Sequence, residues 1–310
     1  MSKINNILKT IGNTPLLKIN SLSRFANIYA KLEFFNPGGS IKDRTALYLI
    51  NEAEKQGLIH ENSTIIEPTA GNTGIGLSLV AAQKNYKVIC VVPKRFSEEK
   101  QVLMKALGAK IINTPTSNGM EGAIKKSFEL KKKIKNSFIP QQFSNPANIK
   151  AHYETTGKEI YDSLNGKIDI FIAGIGTAGT FMGVSKYLKE KNPHIKTIGV
   201  EPEGSVLAKG KLKEHKTEGI GVDKIETSKL IDWELIDEII TVSDRNTHKM
   251  LKFLAKKEGL LIGSSSGATA WAAYKIARLN PNKNIVTIFP DGSNNYLSKN
   301  IYGDFDAWKI

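Results

Sequence analysis

The sequence predicts an α/β protein with two lobes, each a mostly parallel twisted sheet covered by helices. Apolar runs of strand length alternate with longer stretches of helical period, as in parallel strands joined by helices. Glycine-rich loops follow several of these runs. The chain has 310 residues, which is long enough for two lobes.

The predicted strands are short apolar runs at residues 29–35, 64–68, 87–93, 110–113, 169–175, 197–201 and 284–290. The predicted helices cover residues 42–56, 73–85, 97–107, 149–164, 180–191, 246–257 and 268–279. The segment SNPAN at 144–148 interrupts this pattern. We therefore assign residues 1–145 to an N-terminal lobe and 146–310 to a C-terminal lobe.

The formal net charge of +14 suggests nucleic-acid binding, but no basic face with base-stacking aromatic residues is evident. Between residues 120 and 134, helical spacing places Ala123, Ile124, Phe128 and Ile134 on one apolar side. The lysines of this segment then lie mostly on the solvated side. We expect no nucleic-acid partner.

No apolar run approaches the roughly 18 residues of a membrane span, and the first residues lack a signal-peptide core. We expect a cytoplasmic protein without a membrane partner. Cys90, the single cysteine, lies in an apolar run and is expected to be a small buried residue. The five histidines show no metal-ligand spacing, so no metal site is expected.

The first of four informative loops, NPGGSIKDR at 36–44, brings Lys42 to the first turn of a helix. The partial positive charge of a helix N-terminus disfavours a cation there, which favours the neutral amine that a Schiff-base lysine needs. The alternative is an ordinary surface lysine after a glycine turn. This loop alone does not decide between them.

The second loop, EPTAGNTGIG at 67–76, also lies between a strand and a helix. Its hydroxyl, amide and backbone N–H groups can bind a carboxylate, and its glycines allow close approach. A helix N-cap would explain one Asn or Thr. It would not explain the whole run.

The third loop, GIGTAGT at 174–180, follows a predicted strand and opens a helix, an arrangement that binds phosphate through backbone N–H groups. Gly174, Gly176 and Gly179 also fit the dinucleotide fingerprint, and Glu201 ends the next strand about 20 residues later, where a ribose-binding acid belongs. An NAD-dependent dehydrogenase is therefore a rival hypothesis. It leaves the Lys42 and Asn72 loops without a role.

The fourth loop, GSSSGA at 263–268, precedes the last predicted helix. We expect one serine to be the N-cap of that helix and a second hydroxyl to face a ligand.

Together and in this order, the four loops resemble the catalytic core of cysteine synthase and cystathionine β-synthase. These are fold-type II pyridoxal-phosphate enzymes, related in fold to the tryptophan synthase β-subunit. The resemblance runs nearly end to end, through IGNTPL at 11–16, KLE at 31–33, QQFSNPAN at 141–148, EGIG at 218–221 and YLS at 296–298.

The resemblance implies how pyridoxal 5′-phosphate is bound. Lys42 would form the Schiff base and then shuttle the α-proton of the substrate. Asn72 would hydrogen-bond the ring oxygen, and Ser265 would face the pyridine nitrogen. The phosphate would lie against the turn formed by Gly176, Thr177, Ala178, Gly179 and Thr180.

The resemblance also implies a substrate site. Thr69, Gly71, Thr73 and Gln142 would hold the substrate carboxylate, with Ala70 beside the β-carbon, and Gly219 would belong to a loop that closes over the substrate. Many family members have serine in place of Ala70 and glycine in place of Ala178. The Ala178 backbone donor should still serve if the local φ is negative.

The implied reaction is β-replacement on a donor of the O-acetylserine type with a thiol nucleophile. The acceptor stays open between sulfide, homocysteine and cysteine. Cystathionine formation is thus one alternative, and a cysteine-consuming reaction that makes lanthionine or serine and releases hydrogen sulfide is another. The resemblance further implies a homodimer whose partners are small amino acid and thiol substrates.

Overall fold

The computed structural model describes residues 3–69, 71–94 and 97–303. Contacts divide the chain into two compact units. Unit 1 comprises Met1–Gly12 and Asn36–Asn148, and unit 2 comprises Asn13–Phe35 and Ile149–Ile310.

The described residues form two sheets. Their strands, numbered along the chain, are β1 (Leu16–Lys18), β2 (Asn27–Leu32), β3 (Thr64–Pro68), β4 (Lys87–Pro93), β5 (Lys110–Thr114), β6 (Ser137–Phe138), β7 (Ile170–Gly174), β8 (Lys196–Pro202), β9 (Glu238–Val242) and β10 (Asn284–Phe289).

The helices within the same ranges are α1 (Lys42–Lys55), α2 (Asn72–Lys84), α3 (Glu98–Ala106), α4 (Gly119–Lys133), α5 (Ala147–Ala151), α6 (Lys158–Ser163), α7 (Gly179–Lys191), α8 (Asp244–Glu258) and α9 (Ser264–Leu279). A π-helix, His152–Gly157, joins α5 to α6. Short 3-10 segments lie at Ile7–Thr10, Asn20–Leu22, Glu33–Phe35, Thr116–Asn118, Ile225–Thr227, Trp233–Leu235 and Ser293–Lys299.

The sheet of unit 1 has the order β5-β4-β3-β6, and all of its pairs are parallel. Strands β3 and β4 read as nearly continuous apolar runs because both faces of a parallel sheet are covered. Cys90 of β4 is buried, as predicted, and burial raises the pKa of its thiol to about 12. Its thiol therefore stays protonated near neutral pH.

The sheet of unit 2 has the order β1-β2-β10-β7-β8-β9. Only β1 runs antiparallel, against β2, so the prediction of mostly parallel sheets is confirmed. The segment Asn13–Phe35, assigned above to the N-terminal lobe, lies in unit 2 because β2 pairs with β10 along its whole length.

The predicted ranges of β3 and β4 agree with the structure, whereas β1, β6 and β9 were not predicted. Strands β1 and β6 have three and two residues, and β9 is a partly exposed edge strand without a continuous apolar run. The predicted helix 149–164 is interrupted by the π-helix.

The predicted apolar side of α4 is confirmed at Ala123 and Ile134, which belong to or pack against a core cluster, but is wrong at Ile124 and Phe128. Ala123 and Ser127 are fully buried, whereas Ile124 and Phe128 are 41% and 43% exposed. The small side chains of Ala123 and Ser127 allow α4 to approach the sheet closely. Met120 and Leu130 also pack against this cluster, so spacing alone did not reveal which of the large residues of α4 face the sheet.

Helix α7 packs closely against the chain segment 149–153. An added Cβ at Gly183 would lie 2.8 Å from His152 Cβ and 2.9 Å from the backbone nitrogen of Tyr153, and it would also contact the backbone oxygen of Ile149. Glycine at this position therefore sets the distance between α7 and the segment beneath it.

We predict that Gly183→Ala lowers the free energy of unfolding by about 1–3 kcal/mol, because backbone must shift to admit a methyl group. This loss outweighs the gain of about 1 kcal/mol in helix propensity. Urea unfolding followed by circular dichroism measures the difference. Lys186→Ala, on the exposed face of α7, is the control; equal stability of the two variants would contradict the close packing.

Candidate active site

Lys42 is the first residue of α1, which confirms its predicted place in the first turn of a helix. The preceding turn is fixed by polar contacts. The backbone N–H of Lys42 donates to Ser40 Oγ at 3.2 Å, and that of Gly38 donates to Asp43 Oδ2 at 2.6 Å. An added Cβ at Gly38 would collide with the Asp43 carboxylate, so this turn requires glycine.

Helix α2 packs directly on the beginning of α1. An added Cβ at Gly76 would lie 2.9 Å from the Lys42 backbone oxygen and 3.1 Å from Ala46 Cβ. The end of α2 that carries Asn72 and Thr73 is therefore adjacent, within unit 1, to the turn that carries Lys42.

The loop between β3 and α2 has no side-chain cap. The N-cap of α2 is Gly71, so neither Asn72 nor Thr73 occupies the N-cap position. Thr69 Oγ1 accepts a hydrogen bond from the Gly71 N–H at 3.2 Å. The capping alternative therefore does not account for the polar residues of this loop. Ala70 lies outside the described residues.

Two of the predicted carboxylate-binding residues meet in the structure. Thr73 Oγ1 donates to Gln142 Oε1 at 2.7 Å, although the residues are 69 positions apart in sequence. Asn148 Nδ2 donates to the Gln142 backbone oxygen at 2.8 Å, and Thr45 Oγ1 of α1 donates to Asn148 Oδ1 at 3.0 Å. A buried hydrogen-bond network thus joins α1, α2 and the segment 142–148.

Glu67 of β3 belongs to this network but was not singled out by the sequence analysis. Its Oε1 accepts from Gln142 Nε2 at 3.1 Å. Burial raises the pKa of Glu67 to about 8. Hydrogen bonds from Gln142 and the Gln141 backbone lower the pKa, but by less than burial raises it. Glu67 is thus mostly uncharged at neutral pH. Its one sequence signal is an acidic residue in the apolar strand TIIEP.

In unit 2, the predicted phosphate turn connects β7 to α7. Helix α7 begins at Gly179 and has no side-chain cap, so the N–H groups of its first turn and the helix dipole are directed to the space before the helix. An added Cβ at Gly176 would lie 2.7 Å from the Gly219 backbone oxygen. The turn therefore has the features of an anion site that requires glycine.

Ala178 has a left-handed conformation, with φ of +67°. Phosphate binding through the Ala178 N–H is expected for a negative φ, and the structure shows the opposite sign. A glycine adopts this conformation without strain. For an L-residue it costs roughly 1–2 kcal/mol, so this chain retains a strained residue at the N-cap of α7.

His152 contacts the phosphate turn and was not predicted as a site residue. Its Nε2 lies 3.2 Å from Thr180 Oγ1, and its Nδ1 lies 3.0 Å from Thr156 Oγ1. The imidazole is fully buried in the π-helix, a form of helix that is frequent at functional sites. The contact with His152 therefore fixes the position of the Thr180 hydroxyl.

The segment 218–221 packs on the same turn within unit 2. Gly221 N–H donates to the Ile175 backbone oxygen at 2.7 Å, and Gly219 has φ of +85°. An added Cβ at Gly219 would lie 3.9 Å from Ser265 Oγ. Unit 2 thus brings together the phosphate turn, the segment 218–221 and the predicted pyridine-nitrogen serine.

The expected serine N-cap of α9 is wrong. The N-cap is Gly263, and Ser264, Ser265 and Ser266 all lie within the first turn of the helix. Ser264 Oγ instead accepts a hydrogen bond from the Glu218 N–H at 2.9 Å and so anchors the segment 218–221.

Glu201 does not occupy a ribose-binding role in the structure. Its carboxylate is fully buried and accepts hydrogen bonds from the backbone N–H groups of Leu207 and Ala208 at 2.9 and 3.1 Å. It also accepts one from Thr241 Oγ1 at 3.1 Å. These bonds order the segment after β8, and they count against the dehydrogenase hypothesis.

The described residues contain no group of three or more His, Cys, Asp or Glu side chains arranged to hold a metal ion. Within the same ranges, no helix has both the length and the apolarity needed to cross a membrane.

We predict that the stability difference between the wild-type apo-protein and Glu67→Gln depends on pH. Between about pH 5 and about pH 8 the unfolded chain releases the Glu67 proton while the folded chain keeps it. The wild type should therefore lose stability relative to the variant as pH rises, by at most about 1.4 kcal/mol per pH unit. Denaturant titrations at several pH values measure this; parallel curves would show that Glu67 ionises normally.

We predict that Ala178→Gly is nearly neutral for stability. It relieves roughly 1–2 kcal/mol of strain, which is offset by about 0.5–1 kcal/mol of added chain entropy and about 0.8 kcal/mol of lost methyl burial. Ala178→Val should lower stability by about 2 kcal/mol or more, because a β-branched residue strongly disfavours positive φ. Thermal unfolding compares them, and a stable valine variant would contradict the left-handed conformation.

Comparison with known proteins agrees with the residue pattern. A family model described as "Pyridoxal-phosphate dependent enzyme" matches residues 7–291. The chain is 49% identical over 305 residues to the O-acetylserine dependent cystathionine beta-synthase of Bacillus subtilis (strain 168), covering 97% of this chain and 99% of the relative. It is 52% identical over 298 residues to a cysteine synthase of Helicobacter pylori (strain J99 / ATCC 700824), covering 94% and 97%.

A solved structure is also similar to this chain in both sequence and fold. The crystal structure of a hydrogen sulfide-producing enzyme from Fusobacterium nucleatum has a TM-score of 0.92 and 46% sequence identity, and the match covers 95% of this chain and 100% of that one. The chain therefore belongs to the pyridoxal-phosphate dependent enzymes, in the cysteine synthase and cystathionine β-synthase branch of fold type II.

Proposed function

We propose that this enzyme catalyses β-replacement on O-acetylserine, in which a thiol displaces acetate. One observation carries the proposal: α2 packs at Gly76 onto the backbone of Lys42. The packing places the amine-bearing turn next to the helix end that carries Asn72 and Thr73, and the hydrogen bond from Thr73 to Gln142 completes a polar site for a carboxylate.

The residues present fit pyridoxal phosphate. An anion site at the start of α7, with uncapped N–H groups and no room for a side chain at Gly176, suits its phosphate. In our proposal Gly176, Thr177, Gly179 and Thr180 hold that phosphate, and Ala178 is left out because its φ is positive. When bound, the cofactor withdraws electrons from the α-carbon of the amino acid, which makes the α-proton removable.

Lys42 has two tasks in this proposal. Its amine binds the cofactor aldehyde covalently and, once released by the substrate, it accepts the proton from the α-carbon. Asn72 would donate a hydrogen bond to the ring oxygen of the cofactor. Ser265 would supply a hydroxyl to the ring nitrogen, and a neutral hydroxyl would stabilise a protonated ring less well than a carboxylate. Loss of the β-substituent is then favoured over transamination.

Thr69, Gly71, Thr73 and Gln142 bind the substrate carboxylate. The first turn of α2 adds uncapped N–H groups and the positive end of its dipole. Gly219 lies in a segment whose positive φ angles at Gly219 and Gly221 favour glycine. In our proposal Gly219 belongs to the substrate-binding residues, as the family resemblance implies.

The names of the relatives leave the sulfur chemistry open. One is named for cystathionine formation, one for cysteine synthesis and one for hydrogen sulfide production. We propose O-acetylserine as donor and either sulfide or homocysteine as acceptor. As a second candidate, the chain consumes cysteine and releases hydrogen sulfide, which the likeness to the sulfide-producing enzyme supports.

We predict that the purified protein has a visible absorption band that borohydride reduces and that Lys42→Ala lacks, because the cofactor is then not covalently held. Lys55→Ala, at the exposed end of the same helix, is the control and should keep the band. A colourless wild-type protein that stays colourless with added pyridoxal phosphate would contradict the proposal.

We predict that O-acetylserine releases acetate over repeated turnovers only when sulfide or a thiol is added, because the nucleophile adds after acetate has left. O-acetylserine, serine and cysteine are supplied in turn as donors, each with sulfide, homocysteine or cysteine as acceptor, and mass spectrometry identifies the product, which is a thiol with sulfide and a thioether with the other two acceptors. Hydrogen sulfide release from cysteine alone would favour the second candidate. No product from any donor would reject β-replacement. Light scattering on the same preparation tests the homodimer implied by the family resemblance.

A further inference from the structure

Glu67 contacts a residue assigned above to the substrate carboxylate, but it has no role in the proposal so far. The residue is 1% exposed in β3. Its Oε1 accepts from Gln142 Nε2, whereas its Oε2 has no hydrogen-bond partner among the described residues. Burying a polar group that is only partly hydrogen-bonded costs stability. A carboxyl group in this apolar strand therefore calls for a functional reason.

The hydrogen bonds around Gln142 fix the orientation of its carboxamide. Oε1 accepts from Thr73 at 2.7 Å and Nε2 donates to Glu67 at 3.1 Å. The backbone of Gln142 is held separately through Asn148. A carboxamide has two N–H donors, and Glu67 accepts one of them. The second N–H is the donor that this arrangement leaves for a ligand.

We infer that Glu67 is a positioning residue for the amino acid substrate: its carboxyl group orients the Gln142 carboxamide so that the second N–H donates to the substrate α-carboxylate. The inference rests on the proposed function, in which Gln142 binds that carboxylate. Without Glu67 the carboxamide can rotate and present its oxygen, which repels an anion.

The electrostatics of this part of unit 1 agree with such a role. Burial keeps Glu67 mostly uncharged at neutral pH, with a pKa of about 8, so it does not repel a bound carboxylate. Cys90, its register partner on β4, also remains uncharged because burial raises its pKa to about 12. Glu67 therefore provides an acceptor for Gln142 without a negative charge near the substrate.

A purely structural role for Glu67 makes a different prediction. Loss of a structural contact would weaken all ligands alike, whereas loss of a positioning contact would weaken only ligands that carry the α-carboxylate. L-serine and L-serinamide separate the two roles, because the second has a carboxamide in place of the carboxylate.

The experiment measures the dissociation constants of both ligands with the holoenzyme, from the change in the visible spectrum of the bound cofactor. Glu67→Leu should weaken L-serine about tenfold and change L-serinamide by less than about twofold. Glu67→Gln keeps an acceptor oxygen and should restore wild-type selectivity. Glu67→Met, which keeps the side-chain length, serves where the leucine variant does not fold.

A double-mutant cycle tests whether Glu67 acts through Gln142. Glu67→Leu added to Gln142→Leu should weaken L-serine no further than Gln142→Leu alone. Ser63→Ala is the matched control, since Ser63 is also buried, next to the start of β3, and its Oγ donates to Asn136 Oδ1 at 2.7 Å. It should lower the unfolding temperature but leave selectivity unchanged.

The outcomes separate the two claims. Equal weakening of both ligands by Glu67→Leu and Glu67→Met, or additive effects in the cycle, overturns the inference while the proposed function stands. If Gln142→Leu itself leaves selectivity unchanged, the proposed carboxylate site and the inference fail together. Selective weakening, rescue by Glu67→Gln and a non-additive cycle support the inference.

Discussion

The close contact between α1 and α2 at Gly76 is the constraint on which the rest of the candidate site in unit 1 depends. Any side chain there would push α2 away from the backbone of Lys42. Because the helices touch, the polar residues that begin α2 lie beside the turn that carries the amine. The hydrogen bonds from Thr73 to Gln142 and from Thr45 to Asn148 then fix the segment 142–148 to both helices.

The phosphate turn of unit 2 also depends on a close approach of two backbone segments that glycine permits. The segment 218–221 lies against Gly174 and Gly176 and is anchored at Ser264. The strained Ala178 shows that tertiary contacts around α7 outweigh a local preference of roughly 1–2 kcal/mol. The buried His152 then holds Thr180, so the turn is fixed from more than one side.

The strands β3, β4 and β7 and the helix starts at Lys42 and Gly179 were close to predictable, because covered parallel strands read as apolar runs and glycine turns mark the helices after them. The buried face of α4 was not predictable, because its fully buried residues are the small Ala123 and Ser127. The sign of φ at Ala178 is set by tertiary contacts. Glu67 has a sequence signal, an acidic residue in an apolar strand, but its contact with Gln142 could not be predicted because the two residues are 75 positions apart.

The course of the chain between the two units has a consequence for biosynthesis. Residues 36–148 of unit 1 are contiguous, so their sheet can form soon after they leave the ribosome. Strand β2 is synthesised earlier. One of its edges pairs with Asn284–Phe289 of β10, so this edge has no partner until β10 has been synthesised. An unpaired strand edge is a template for association with other chains. During translation, one edge of β2 therefore stays without its β10 hydrogen-bond partner until most of the chain has been synthesised.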